Sequence, residues 1–247
     1  MPQQGKKRKK HSALYAPLSF VIVAAALVFA MSVFFRVSEI QVTGNSLYTS
    51  QEIVEAAGIE EGDNLFFINR STACSRIYAR LPYVERADIS RSLPNNVVIR
   101  ITESEAIAYV TAEDGLWAID RNGKLLSRTD QEGARSLIRI DGLTPIAPAE
   151  GQIIAPGESE SPKVDYLAQI LGQIYALGMR SSITYIDMSN VASPSFDYLG
   201  RFTVKLGSQD DTAYKFQVLI SAVEALEEGD SGTIDLSVDK RAHFSYN

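Results

Sequence analysis

The chain has 247 residues, enough for one large domain or two small ones, and at 45% hydrophobic and 22% charged its composition is that of ordinary globular material. A formal net charge of −6 argues against a nucleic-acid binder, which needs a clustered basic face. A single cysteine, Cys74, excludes an internal disulfide and a zinc cluster, and reads as a small buried hydrophobe on a helix.

The charge is unevenly placed. Lys6, Lys7, Arg8, Lys9 and Lys10 crowd the start, and no charge follows from Ser12 to Phe35. Leu14 to Phe35 makes 22 residues, about 33 Å of helix against a hydrocarbon core of roughly 30 Å. The run is longer than the ~7–15 apolar residues of a cleaved signal peptide. The sequence therefore predicts a basic cytoplasmic tail at 1–13 and one transmembrane helix at 14–35. Basic residues stay on the cytoplasmic side, so residues 36–247 are expected outside, as a single-pass type II membrane protein.

Residues 36–104 read as a compact β-α-α-β-β unit. Val37, Ile40 and Val42 begin a strand that stops at the Gly44-Asn45 turn. Thr49 and Glu52 form a capping box before a helix through Ile53, Val54 and Ala57, closed by Gly58. Ala73, Ile77 and Leu81 recur every four residues on a second helix, which Pro82 ends. Val84 to Arg91 and Val97 to Thr102 are two further strands about a Leu93-Pro94-Asn95-Asn96 turn, and Val97, Ile99 and Ile101 share one face. Two helices on a three-stranded sheet enclose one core.

Residues 105–247 read as a larger mixed β domain with two helices packed on a sheet, which makes the whole chain α+β. Leu116 to Ile119 and Lys124 to Leu126 flank Asn122-Gly123, a hairpin turn that calls for positive φ. Leu137 to Ile140 is a strand, and Pro145 to Pro162 is a loop. Ser161 and Pro162 open a helix with Leu167, Ile170, Leu171, Ile174 and Leu177 inward, ended by Gly178. Ile183 to Met188 and Phe202 to Leu206 are strands. Asp211 caps a helix with Phe216, Leu219, Ile220, Val223 and Leu226 inward, closed by Gly229. Ile234, Leu236 and Val238 alternate with Asp235 and Ser237 in the last strand.

Catalytic patterns are weak. Gly229-Asp230-Ser231-Gly232 looks like a serine-protease nucleophile loop, but that chemistry needs a histidine base. His11 belongs to the tail and His243 follows the serine. Ser237-Val238-Asp239-Lys240 matches S-x-x-K without its companion motifs. The sequence offers no Walker loop, no G-x-G-x-x-G and no H-E-x-x-H. No catalytic, cofactor-binding or metal-binding residue is assigned, and no small-molecule substrate or nucleic acid is expected.

Phe35-Arg36-Val37-Ser38-Glu39-Ile40-Gln41-Val42-Thr43-Gly44-Asn45, directly after the apolar run, resembles the opening of the POTRA domain in the bacterial cell-division proteins FtsQ and DivIB. Leu81 to Arg91, then Leu93-Pro94, Val97 to Glu103 and Ala106 resemble that domain's end. Gly115 to Gly123, Ile186-Asp187-Met188-Ser189 and Gly232 to Leu236 resemble landmarks of the family's β domain, whereas Glu150 to Pro162 departs from the pattern. The resemblance implies a non-catalytic scaffold of the divisome at the division septum. It would bind FtsL-type and FtsB/DivIC-type proteins and couple them to the septal peptidoglycan synthase complex. The implied docking edge is the last strand, Ile234, Leu236 and Val238, extended through Phe244 and Tyr246. An open strand edge suits addition of a partner segment, with exposed aromatics as anchors. Ile234, Leu236 and Val238 also fit a core-filling role, with the last residues frayed. A competing reading from another class is a membrane-tethered cell-wall hydrolase or transpeptidase, which needs a nucleophile or carboxylate pair in a cleft.

Overall fold

The computed structural model describes residues 12–157, 161–238 and 241–246, with side chains described at all of these except 12–16 and 32. The basic run at 6–10 and His11 lie outside them. Helix α1, Ser12–Phe34, covers 23 residues and its sequence carries no charged residue. Phe20, Val28, Phe29 and Phe34 expose 65% or more of their surface, a pattern that water alone does not favour. Among the described residues no helix is long and apolar enough to cross a membrane. The span predicted at 14–35 includes positions 14–16 and 32, whose side chains are not among those described.

The described residues divide into two compact units, one running to Ile77 and including Arg86–Thr102, the other holding Tyr78–Glu85 and everything from Glu103. The elements of the first are β1 (Glu39–Thr43), α2 (Ser50–Ala57), α3 (Arg70–Arg80), β2 (Val84–Ser92) and β3 (Asn96–Glu103), although the ends of α3, β2 and β3 pass into the second unit. The sheet order is β1-β3-β2, and β1 runs parallel to β3 from the Glu39–Asn96 pair to the Thr43–Arg100 pair. The predicted capping box is present: the Glu52 amide donates to the Thr49 hydroxyl at 3.2 Å, and the Thr49 amide donates to the Glu52 carboxylate at 2.8 Å. Gly58 ends α2 in the left-handed region (φ +64°) and donates to the Val54 carbonyl. Ile53, Leu65, Ile77 and Ile99 are fully buried.

The second unit is built on nine strands: β4 (Ala108–Ala112), β5 (Gly115–Ile119), β6 (Leu125–Thr129), β7 (Ile138–Asp141), β8 (Tyr185–Asp187), β9 (Ser195–Tyr198), β10 (Phe202–Lys205), β11 (Gly232–Asp235) and β12 (His243–Tyr246). They form one sheet in the order β12-β11-β10-β9-β8-β7-β4-β5-β6. Helices α4 (Ser161–Ala176) and α5 (Thr212–Glu224) cover it with Tyr166, Leu167, Ile170, Leu171, Ile174, Phe216 and Leu219, all of them inside one core. Phe216 stacks on Phe196 of β9 at 5.6 Å between ring centres.

Several local expectations need correction. The turn at 120–123 is not a two-residue turn with two positive φ values; only Gly123 has one (+76°). The Gly123 amide donates to the Asp120 carbonyl, which makes a type I turn with a glycine bulge. Asp120 itself decides this. Its buried carboxylate accepts from the Asn122 amide (2.8 Å), the Lys124 amide (2.9 Å) and the Ser104 hydroxyl (2.9 Å). Asp211 stands at the head of α5 but in the left-handed region, and its side chain makes no capping bond. Instead the Thr212 hydroxyl donates to the Gln209 carbonyl at 2.8 Å. Helix α5 also stops at Glu224, short of Gly229. Strands β4 and β9 were not foreseen.

Candidate partner-binding edge

The sheet's outer end is made by a crossover and a hairpin. β10 leads into α5, which returns the chain to β11, parallel to β10 and paired Phe202–Gly232 through Lys205–Asp235. The chain then reverses, and β12 pairs antiparallel to β11, Gly232–Tyr246 through Asp235–His243.

The predicted last strand breaks at Asp235. There the aspartate carboxylate accepts both the Ser237 amide (2.8 Å) and the Ser237 hydroxyl (2.6 Å). An aspartate that bonds the backbone two residues on makes an Asx turn, which takes the chain out of the extended state. Burial pushes the Asp235 carboxyl up, but the two Ser237 bonds, with Lys205 and His243 nearby, outweigh it and hold it below the usual aspartate range. Ser237 is therefore in a bend rather than a strand, and its hydroxyl serves the turn.

The five predicted docking residues separate into two groups. Ile234 (0% exposed) and Leu236 (2%) belong to the core, and β11 is flanked on its outer side by β12, so Ile234 to Val238 is not the sheet's edge. Val238 is half exposed beyond the strand. Phe244 and Tyr246 lie on β12, the outermost strand. The Phe244 ring packs edge-on against Phe202 at 6.1 Å and against Tyr246 at 4.8 Å, while Tyr246 keeps 70% of its surface exposed. The edge thus has a ladder of backbone groups and an aromatic pair rooted in the core through Phe202.

Two supports were not legible as such in the sequence. Gly232 faces the β12 backbone so closely that a Cβ would strike the Ser245 carbonyl and the Phe244 ring. The glycine is there for close approach of a neighbouring strand. Arg201 lies over the Phe202 ring at 4.8 Å, and its guanidinium donates to the carbonyls of Glu227, Glu228 and Asp230. It thereby fixes the loop that carries Asp230 and Ser231, the stretch that had looked like a nucleophile loop. Arginine's planar fork allows one side chain to hold several acceptors. Among the described residues no group of three or more His, Cys, Asp or Glu is placed to hold a metal ion.

The chain matches two family models: the FtsQ-type POTRA domain over residues 35–104, and the C-terminal domain of cell division protein FtsQ/DivIB over residues 108–237. Among curated relatives, the cell division protein DivIB of Clostridium acetobutylicum is 27% identical over 208 residues, 83% of this chain and 80% of that protein. DivIB of Clostridium botulinum strain Hall is 24% identical over 245 residues, 97% of this chain and 93% of its own length. DivIB of Bacillus subtilis is 30% identical over 124 residues, 50% of this chain and 47% of that protein. A match covering more than half of the chain, over eight of the nine strands of the sheet (β4 to β11), shows that the chain belongs to the FtsQ/DivIB family of cell division proteins.

Proposed function

We propose that this chain is a non-catalytic scaffold of the divisome, held in the membrane by α1 and docking FtsB/DivIC-type and FtsL-type proteins outside it. Through them it influences the septal peptidoglycan synthase complex. The observation that carries the reading is the outer end of the nine-stranded sheet. Among the described residues β12 has a strand on one side only, and it presents Tyr246 beside Phe244. An extended segment of a partner can add there as a further strand, with main-chain bonds for affinity and alternating side chains for specificity. The membrane part of the reading is supported by the basic run at Lys6–Lys10 followed by an uncharged helix about 35 Å long.

The test is Tyr246→Glu in the full-length chain, expressed in its own host. A charge on the exposed face of the edge is expected to lower co-purification of the FtsB/DivIC-type protein about tenfold, with the membrane level and thermal unfolding unchanged. Undiminished co-purification from a folded variant rejects the edge.

A further inference from the structure

We infer that the first unit carries a second membrane contact, an aromatic loop at Asn64–Phe67 that lies in the lipid headgroup layer beside the end of α1. The inference rests on the membrane reading of α1. The loop is tied tightly to the helix end. The Val37 amide donates to the Asp63 carbonyl at 2.8 Å, the Gly62 amide to the Val37 carbonyl at 2.7 Å, and the Leu65 amide to the Phe35 carbonyl at 2.8 Å. Arg36 and Asn64 form a bridge. The Asn64 side-chain amide reaches the Met31 carbonyl inside the last turn of α1, at 3.3 Å. The loop is therefore level with the final turn of the helix, and wherever that turn sits in the bilayer, the loop sits too.

A span ending at Phe35 places that level at the boundary of the hydrocarbon, where a polar layer of roughly 5–7 Å begins. The side chains suit it. Phe67 is 84% exposed and Phe34 74% exposed. Phe66 packs edge-on against Phe35 at 4.9 Å. The Arg91 guanidinium donates to the carbonyls of Phe66 and Ile68 at 3.2 and 3.0 Å and lies 6.0 Å from the Phe66 ring. That is a rigid aromatic loop with an exposed cation fastened to it, and aromatic rings with a phosphate-matching arginine favour the membrane interface over water. Neighbouring Asp63 turns its carboxylate onto the Glu60 amide, at 3.0 Å. The turn between β2 and β3 adds a further apolar group at this end, since Asn95 accepts from the Ser38 amide at 2.9 Å and Leu93 is 63% exposed. At the opposite end of β1, Leu47 is also 60% exposed, and five strand residues at ~3.3 Å each separate it from the helix end. A lipid surface, rather than a protein partner, is the occupant that the continuity with α1 requires.

The test uses the full-length chain, with Cys74→Ala, reconstituted in vesicles of phosphatidylcholine and phosphatidylglycerol. One fluorophore is attached at Phe67→Cys or, as the control, at Leu47→Cys. Quenching by a headgroup-level nitroxide lipid is expected to be at least fivefold stronger at 67 than at 47, with aqueous iodide quenching reversed. Equal quenching at both sites in chains that float with the vesicles overturns the loop contact and leaves the α1 anchor standing. Shielding from iodide at 67 without nitroxide quenching also overturns it, in favour of a second copy as the occupant. Chains that fail to float overturn the anchor and the loop together. Phe67→Trp with brominated lipid, which retains Cys74, repeats the measurement should the Cys74 change impair folding.

Discussion

The two ends of the nine-stranded sheet are treated in opposite ways. At the β6 end the edge is covered where the strand begins: the Leu125 amide donates to the Gln152 carbonyl (2.8 Å), the Gly151 amide donates to the Leu125 carbonyl (2.7 Å), and Lys124 bridges Ile153. The turn before it is pinned by buried Asp120, and the Lys124 ammonium donates to the Val84 carbonyl at 2.9 Å. Burial draws the Lys124 ammonium's pKa down, while Asp120 and Glu85 oppose the fall. The Tyr83 and Ser127 hydroxyls share a further bond of 2.7 Å. At the β12 end none of this covering is found among the described residues; a four-residue strand stands outermost with its aromatic pair. An uncovered edge is a hazard that proteins usually blunt. That one end is covered at its start, and the other, among the described residues, is not, is what gives the open end its meaning.

The contrast can be broken at its closed end first. Asp120→Ala removes the acceptor of two amides and a hydroxyl and strands a half-buried lysine. A loss of about 4 kcal/mol is expected, in the range for breaking a buried charged network, and is read from chemical denaturation. A loss under about 1 kcal/mol would mean that the closed end does not depend on that carboxylate. Partner capture by the fraction that remains folded is expected to be normal.

Gly232→Ala acts at the open end. Its new methyl meets the Ser245 carbonyl and the Phe244 ring, so β12 must shift away. Local overpacking of this kind costs about 1–2 kcal/mol. Amide exchange is expected to speed up at His243–Tyr246 while β10 keeps its protection. Unchanged exchange at His243–Tyr246 would show β12 to be insensitive to this contact.

The smallest effect comes from acid. Asp235 has a lowered carboxyl value in the folded chain relative to an ordinary value near 3.8. The stability it contributes is therefore fully present above that ordinary value, and is lost as pH falls through the lower, folded one. Below about pH 4, wild type is expected to lose more of its denaturation midpoint than Asp235→Asn does. Parallel titrations of the two would refute a role for the Asx turn.

Much of the fold was legible because local chemistry and tertiary packing agree. Thr49 with Glu52, Gly58, and the inward series Leu167, Ile170, Leu171 and Ile174 each state in the sequence what the structure does. What was missed is instructive. β4 is Ala108–Ala112, whose alternation is real but is written partly in alanine, a poor strand former on its own; it is a strand because β5 and β7 flank it. β9, Ser195–Tyr198, follows Ser193-Pro194, which reads as loop, and it is a strand because β8 and β10 flank it. The Asx turn at Asp235 was hidden because the alternation of Ile234, Leu236 and Val238 runs straight across it, and both of the first two are indeed buried. The edge was therefore predicted one strand too early, although Phe244 and Tyr246 were named with it.

The way β12 is attached also bears on mechanical load. It is joined to the rest of the sheet by a single antiparallel pair of four residues, Gly232–Tyr246 to Asp235–His243, and by the Phe244–Phe202 ring contact. Among the described residues that pairing and the ring contact are the strand's main hold on the sheet, so a load placed on β12 falls on them before it reaches the other eight strands.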